Sequence, residues 1–283
     1  MASRWLLTAV LGGWCLIAPA DWPHWRGDAG NGVSLTARPP MEFGLGKNLG
    51  WKTEIPGRGS SSPVVLGDSV FVTTAVPVAG EGRVLDFRLL CFDRETGAEK
   101  WSRSAVMAAP HEGSHETNGY ASASPCTDGE RVYAHFGSQG LHCFSLTGEH
   151  LWSRDFGEMR VRNGFGEGSS PTLAGDLVIV PWDHEGPSML FAVDTRTGRT
   201  VWETPRDEPT SWCTPLVVTD SSGTTQVVMN GQNAARGYDL ATGKELWRCG
   251  GQTVRPVPSA LTAEGIAYIG SGYRGAFLGA FDL

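Results

Sequence analysis

Ala192-Val193-Asp194-Thr195-Arg196-Thr197-Gly198, followed four residues later by Trp202, is one copy of a phrase that this chain repeats. Cys91-Phe92-Asp93-Arg94-Glu95-Thr96-Gly97 leads to Trp101, and Gly237-Tyr238-Asp239-Leu240-Ala241-Thr242-Gly243 leads to Trp247. Cys143-Phe144-Ser145-Leu146-Thr147-Gly148 before Trp152 is the same phrase one residue shorter, and Ala280-Phe281-Asp282 opens another copy. Counting Trp51, the indoles recur at spacings of 50, 51, 50 and 45 residues. Self-similarity at a fixed period of this length marks a stacked supersecondary unit.

A second marker precedes each phrase: Ser62-Pro63, Ser124-Pro125, Ser170-Pro171, Thr214-Pro215 and, in the last copy, Ser259-Ala260. β-Branched runs such as Val64-Val65-Leu66 and Leu216-Val217-Val218 follow it, and then a Gly/Asp turn and a second apolar run. The unit therefore reads as four strands, the third ending in the Asp and the fourth carrying the Trp. Four strands every 45 to 50 residues predict an all-β propeller, with about four complete blades and a partial fifth over residues 48–283. Residues 21–47 read as an N-terminal extended segment.

Each repeated position has a physical role. Asp93, Asp194 and Asp239 can accept backbone hydrogen bonds inside the turn, and Gly97, Gly148, Gly198 and Gly243 can supply the positive φ that closes it. The small residue two before the Asp is expected to leave room for a neighbouring blade's tryptophan. Burying one indole contributes roughly 4 to 6 kcal/mol as an upper estimate, so Trp51, Trp101, Trp152, Trp202 and Trp247 are read as inter-blade glue.

Residues 1–20 read as a secretory signal: Arg4 begins it, an apolar stretch runs from Trp5 to Ile17, and Ala18-Pro19-Ala20 is a small-x-small cleavage site. A lipoprotein reading through Cys15 is disfavoured by the bulky Trp14 before it. No later stretch reaches the roughly 20 apolar residues that cross a bilayer, so a periplasmic or secreted chain without a transmembrane segment is expected after cleavage. Losing Arg4 would take the formal charge from -7 to -8. With its basic residues scattered among excess Asp and Glu, the chain is not expected to bind nucleic acid. Five cysteines would remain, an odd number without Cys-x-x-Cys spacing, so no cysteine zinc site is expected and at least one thiol stays unpaired within the chain. Cys91, Cys126 and Cys143 occupy repeat slots filled elsewhere by other residues and read as buried apolar groups.

The Ala-x-Asp-x-x-Thr-Gly-x-x-x-Trp phrase resembles the tryptophan-docking repeat of propellers named for pyrroloquinoline quinone (PQQ). That family includes quinoprotein dehydrogenases and the lipoprotein of the outer-membrane β-barrel assembly machinery. Trp22-Pro23-His24-Trp25-Arg26-Gly27, the stretch from Thr127-Asp128-Gly129 to Gly140, and Arg206-Asp207-Glu208-Pro209 to Pro215 are similar to segments of exported bacterial PQQ-like repeat proteins. The resemblance implies seven or eight blades, more than this chain supplies. Two architectures follow: an open or truncated arc, which the family pattern favours, or a five-bladed ring closed by Gly50-Trp51-Lys52-Thr53 beside Phe277 to Phe281.

In such a blade the second-to-third and blade-to-blade loops share one rim, and nearly all chemically loaded residues fall there. Trp182, Asp183, His184 and Glu185 can converge with Arg206, Asp207, Glu208 and Trp212, either as a ligand-binding group or as loops stapled by Arg-carboxylate pairs. His111-Glu112-Gly113-Ser114-His115 matches a zinc-protease pattern by letter, but Pro110, Gly113 and Asn118-Gly119 argue for a loop instead of the helix that chemistry requires. Asn163-Gly164-Phe165-Gly166-Glu167-Gly168 lacks the following helix of a phosphate cradle. No catalytic residue and no metal site is assigned.

Function then reads as a non-catalytic platform for an envelope or secreted protein. The alternatives are a PQQ-dependent oxidoreductase and a glycan or small-molecule binder using the Trp-rich rim. For the oxidoreductase, the resemblance implies an adjacent Cys-Cys disulfide, calcium held by carboxylate and amide groups, and an Asp base. No Cys-Cys pair exists, so no cofactor is expected and PQQ is disfavoured.

Overall fold

A computed structural model describes residues 21–283, and the signal expected at residues 1–20 lies outside the described residues. Each repeat forms an antiparallel sheet in simple chain order. The first blade comprises β1 (Val64–Leu66), β2 (Ser69–Pro77), β3 (Leu85–Asp93) and β4 (Glu99–Ala108). The second comprises β5 (Cys126–Thr127), β6 (Arg131–His135), β7 (Leu141–Ser145) and β8 (His150–Arg154). The third comprises β9 (Thr172–Ala174), β10 (Leu177–Trp182), β11 (Ser188–Asp194) and β12 (Thr200–Arg206). The fourth comprises β13 (Leu216–Thr219), β14 (Thr225–Met229), β15 (Ala235–Asp239) and β16 (Glu245–Cys249). The fifth has three strands, β17 (Leu261–Ala263), β18 (Ile266–Ser271) and β19 (Phe277–Asp282).

The turn phrase behaves as its chemistry predicts. The Oδ1 of Asp194 accepts the amide and hydroxyl of Thr197 at 2.8 and 2.7 Å, and Asp93 and Asp239 repeat the arrangement with Thr96 and Thr242. The closing glycines sit at φ between +70° and +84°. They also receive the indole of the preceding copy. Trp101 Nε1 donates to the Leu146 carbonyl, Trp152 to Thr195 and Trp202 to Leu240, while Trp51 docks on Arg94. A Cβ on Gly97, Gly148, Gly198 or Gly243 would stand 2.4 to 2.9 Å from that ring.

This placement corrects the expected role of the small residue two before the Asp. Cys91, Cys143, Ala192 and Gly237 pair across the sheet with the tryptophan of their own blade, Trp101, Trp152, Trp202 and Trp247. A β-bulge follows immediately in all four sheets. Bulges bend a strand and re-aim its side chains, which suits each indole to leave its own sheet for the next turn. Trp247 meets no such turn, and its Nε1 donates to Gln226 within the same blade at 2.6 Å.

The Ser/Thr-Pro marker has a structural purpose that the sequence reading left open. The amide of Ser62 donates to Ser124 Oγ, Ser124 to Ser170 Oγ, Ser170 to Thr214 Oγ1 and Thr214 to Ser259 Oγ, at 2.8 to 3.1 Å. These bonds form a hydrogen-bonded chain across the inner edges of all five sheets. The arc does not close. Residues 50–53 lie in no strand, and β19 pairs only with β18. Between sheets the core is apolar, built from such side chains as Phe71, Leu89, Tyr133, Ile179 and Val227. Cys91, Cys126, Cys143 and Cys213 are buried and Cys249 partly so, and all five are unpaired. No helix among the described residues is long and apolar enough to cross a membrane.

The segment following residue 20 packs against this inner edge. Trp22 bridges Val65 of β1, the Pro23 carbonyl accepts the Thr127 amide of β5, and Gly30 lies against Leu216 of β13. Gly27, at φ +73°, is required where a Cβ would enter the Trp22 ring at 2.6 Å.

Candidate functional site

The exit loop of the first blade (109–125), the β6–β7 turn, the exit loop of the second blade (155–171) and loops of the third blade converge on one rim. They enclose about 750 Å³ of empty space, mouth included. Phe87, Tyr120, Phe136 and Trp212 supply aromatic walls, while Glu112, His135, Ser138, Glu167 and Asp183 supply polar groups.

His135 ends β6, where its 2%-exposed ring lies between Phe156 and Trp182. Neither ring nitrogen completes a hydrogen bond. Burial disfavours the imidazolium and pushes the pKa down to about 4, so the ring is neutral at ordinary pH. Glu167, partly buried, accepts the Ser138 amide at 2.7 Å and also the Ser138 hydroxyl, which in turn accepts the Met159 amide. Its desolvation raises the carboxyl above the usual range. Gly137 makes this possible, because at φ +58° any Cβ would overlap the Glu167 carboxylate.

Of the residues singled out in the sequence, Asp183 and Arg206 meet one another, and the others bond partners outside the group. Asp183 receives a two-pronged contact from Arg206, at 2.7 and 3.0 Å, and a bond from Ser211 at 2.7 Å. Both side chains are essentially excluded from solvent. Arg206 also donates to Tyr238 Oη. Glu208 is buried against Arg236 and accepts the amides of Asn233 and Ala234. Glu185 pairs with Arg162 and holds Thr210, whereas exposed Asp207 contributes its backbone carbonyl to Asn233. His184 Nδ1 accepts the Arg160 amide, and its other nitrogen faces the Pro187 carbonyl. Trp182 is core, while half-buried Trp212 lines the cavity with its Nε1 on the Gly166 carbonyl. Only Asp183 and Trp212 of the eight face the cavity.

His111 and His115 lie in a loop, with His111 Nε2 against the Met159 carbonyl and His115 Nδ1 against Thr117. Among the described residues no three His, Cys, Asp or Glu side chains are placed to hold a metal. Sequence reasoning passed over His135 and read Glu167 only as part of a glycine-rich loop. Aligning the blades by register exposes the first, because His135 stands where Thr73, Pro181 and Asn230 stand. Thr73 and Asn230 each bond the next blade's backbone, at Ala123 and Pro258.

A family profile described as "Outer membrane protein assembly factor BamB" matches residues 46–165 and 86–254, which together span most of the chain. The chain belongs to this BamB family of PQQ-like propellers. The outer membrane protein assembly factor BamB of Burkholderia pseudomallei is 29% identical over 237 residues, covering 77% of this chain and 53% of the relative. The chain thus spans about half the length of the curated relative that it matches.

Solved structures carry the same fold. The quinohemoprotein alcohol dehydrogenase of Comamonas testosteroni superposes with a TM-score of 0.62 at 15% identity, over 93% of this chain and 49% of that one. A europium-containing methanol dehydrogenase gives 0.55 at 13% identity, over 78% and 50%. Identity at that level concerns the fold alone. The residues of this BamB-family chain do not fit the cofactor set that its dehydrogenase resemblance implies. It has no adjacent cysteines, and both oxygens of the cavity's aspartate, Asp183, are taken by Arg206 and Ser211.

Proposed function

We propose that this chain is a non-catalytic interaction platform of the cell envelope that engages a protein partner through its loop-rich rim. The reading includes export through residues 1–20, a periplasmic location and no role for nucleic acid or PQQ. By family analogy, its setting is outer-membrane protein assembly. One observation carries it: three acid–base pairs of the rim are spent on holding its loops. Asp183 with Arg206, Glu208 with Arg236 and Glu185 with Arg162 tie the three loops 155–171, 183–187 and 207–215 to one another and to β12 and β15. That arrangement suits a preorganised docking surface, and the hydroxyl beside the cavity's Glu167, that of Ser138, is itself tied down by the Met159 amide.

Site-specific photo-crosslinking in cells tests this reading. A crosslinker at exposed Glu116 or Arg160 on the loop-rich rim is expected to capture one discrete envelope protein, while Glu95 or Arg196 on the turn rim captures none. Adducts from the turn rim alone, or dye-linked alcohol oxidation by the purified chain with PQQ and calcium, would overturn it.

A further inference from the structure

We propose that the cavity beneath the loop-rich rim receives a cationic side chain, a primary ammonium on an alkyl stem, from the docking protein. The inference rests on the platform reading for the source of that cation.

Acceptors dominate the cavity. Glu112 and Glu167 bring two carboxylates into its wall, and neither pairs with a Lys or Arg among the described residues. The Glu112 carboxylate accepts only the Val161 amide at 2.9 Å, and the Glu167 carboxylate is held by Ser138 alone. The third acid, Asp183, is already neutralised by Arg206. Glu112 is half-buried, and burial without a neighbouring cation disfavours ionisation of Glu167, a cost that a bound cation would relieve.

His135 is the independent second observation. Buried side chains normally have their polar atoms satisfied, yet both of its ring nitrogens lack a partner. Its repeat equivalents Thr73 and Asn230 bond the carbonyls of Ala123 and Pro258, and the ring of His135 faces the corresponding Ser169 backbone without a bond of good geometry. As a neutral imidazole set at the cavity wall, with one nitrogen at most facing Ser169, it keeps hydrogen-bonding capacity that the protein does not use.

The walls favour the same occupant. Trp212 and Tyr120 are anchored by bonds to the carbonyls of Gly166 and Glu112, and aromatic faces attract cations. The empty space of about 750 Å³, mouth included, has room for an alkyl stem and its ammonium head. An anionic ligand would meet two carboxylates, and a neutral polyol would leave them uncompensated.

n-Butylammonium, n-butanol and butyrate, each titrated calorimetrically into the mature chain at pH 7.5, provide the test. Butylammonium is expected to bind one site at least tenfold more tightly than butanol, with butyrate silent. Glu167→Gln should weaken the ammonium about tenfold, Glu95→Gln on the opposite rim should leave it unchanged, and the His135 ring nitrogen resonances should shift at saturation. Equal binding of butanol and butylammonium overturns the proposal, as does an ammonium affinity untouched by Glu167→Gln. If that variant fails to fold, Glu112→Gln and the wild-type ammonium-to-alcohol ratio decide by the same criteria. Crosslinking without butylammonium binding would leave the platform standing and remove the cation site. Butylammonium binding without a crosslinked partner would do the reverse.

Discussion

Replacing Trp202 with alanine should uncouple the third blade from the fourth. The ring is 9% exposed, its Nε1 donates to the Leu240 carbonyl at 2.8 Å, and its face covers Gly243. A buried indole removes about 200 Å² from water, worth about 5 kcal/mol at 25 cal/mol per Å². Partial collapse of the site places the measured cost at about 3–5 kcal/mol. Trp247→Ala is the internal control, because that indole bonds only to Gln226 in its own sheet. It should cost about 2 kcal/mol or less. Since stacked repeats need not unfold in one step, hydrogen exchange resolved by peptide is the suitable assay. Trp202→Ala should speed exchange in β13–β16 by about a hundredfold or more, at 1.4 kcal/mol per decade, with a smaller effect in β5–β8. Equal costs for the two variants, or an effect spread evenly over all blades, would refute the docking argument.

Further outcomes follow from the same geometry. The neutral His135 has a pKa of about 4 against about 6.5 unfolded, so its stabilising effect is whole above pH 6.5 and is lost as pH falls toward 4. About 3 kcal/mol should disappear across that window, and His135→Gln should flatten the profile of urea midpoint against pH. Asp183→Ala strands Arg206 in a buried site and should cost about 3–5 kcal/mol by urea unfolding, well above the cost of Glu95→Ala. Ser170→Ala leaves the buried Ser124 amide without its acceptor and should cost about 1–3 kcal/mol, with faster exchange of that amide. Ellman's reagent should find only Cys249 accessible in the native mature chain and all five thiols after unfolding, burial having pushed Cys143 and Cys213 up to about 12.

What the sequence made legible was local. Asp194, Thr197 and Gly198 close one turn within five residues, so their chemistry can be read without knowing what lies across the molecule. The Trp spacing likewise announced the period. The partner of each indole was misread, because the bulge after Cys91, Cys143, Ala192 and Gly237 redirects it past the small cross-strand neighbour. Such a bulge leaves no residue signature. The loop cluster was found as a region, since Asp183 and Arg206 stood out by charge and rim position. Glu167 did not, because its setting depends on Gly137 and Ser138, some 29 residues earlier in the chain.

The segment that follows residue 20 touches β1 through Trp22, β5 through Pro23 and β13 through Gly30. Blades joined only to their neighbours accumulate small rotations, so an open arc can widen or tighten like a spring. A chord stretched from the first blade to the fourth limits that breathing. In this chain, curvature is therefore set from inside by ten residues that belong to no blade, and the spacing of the rim loops is held with it.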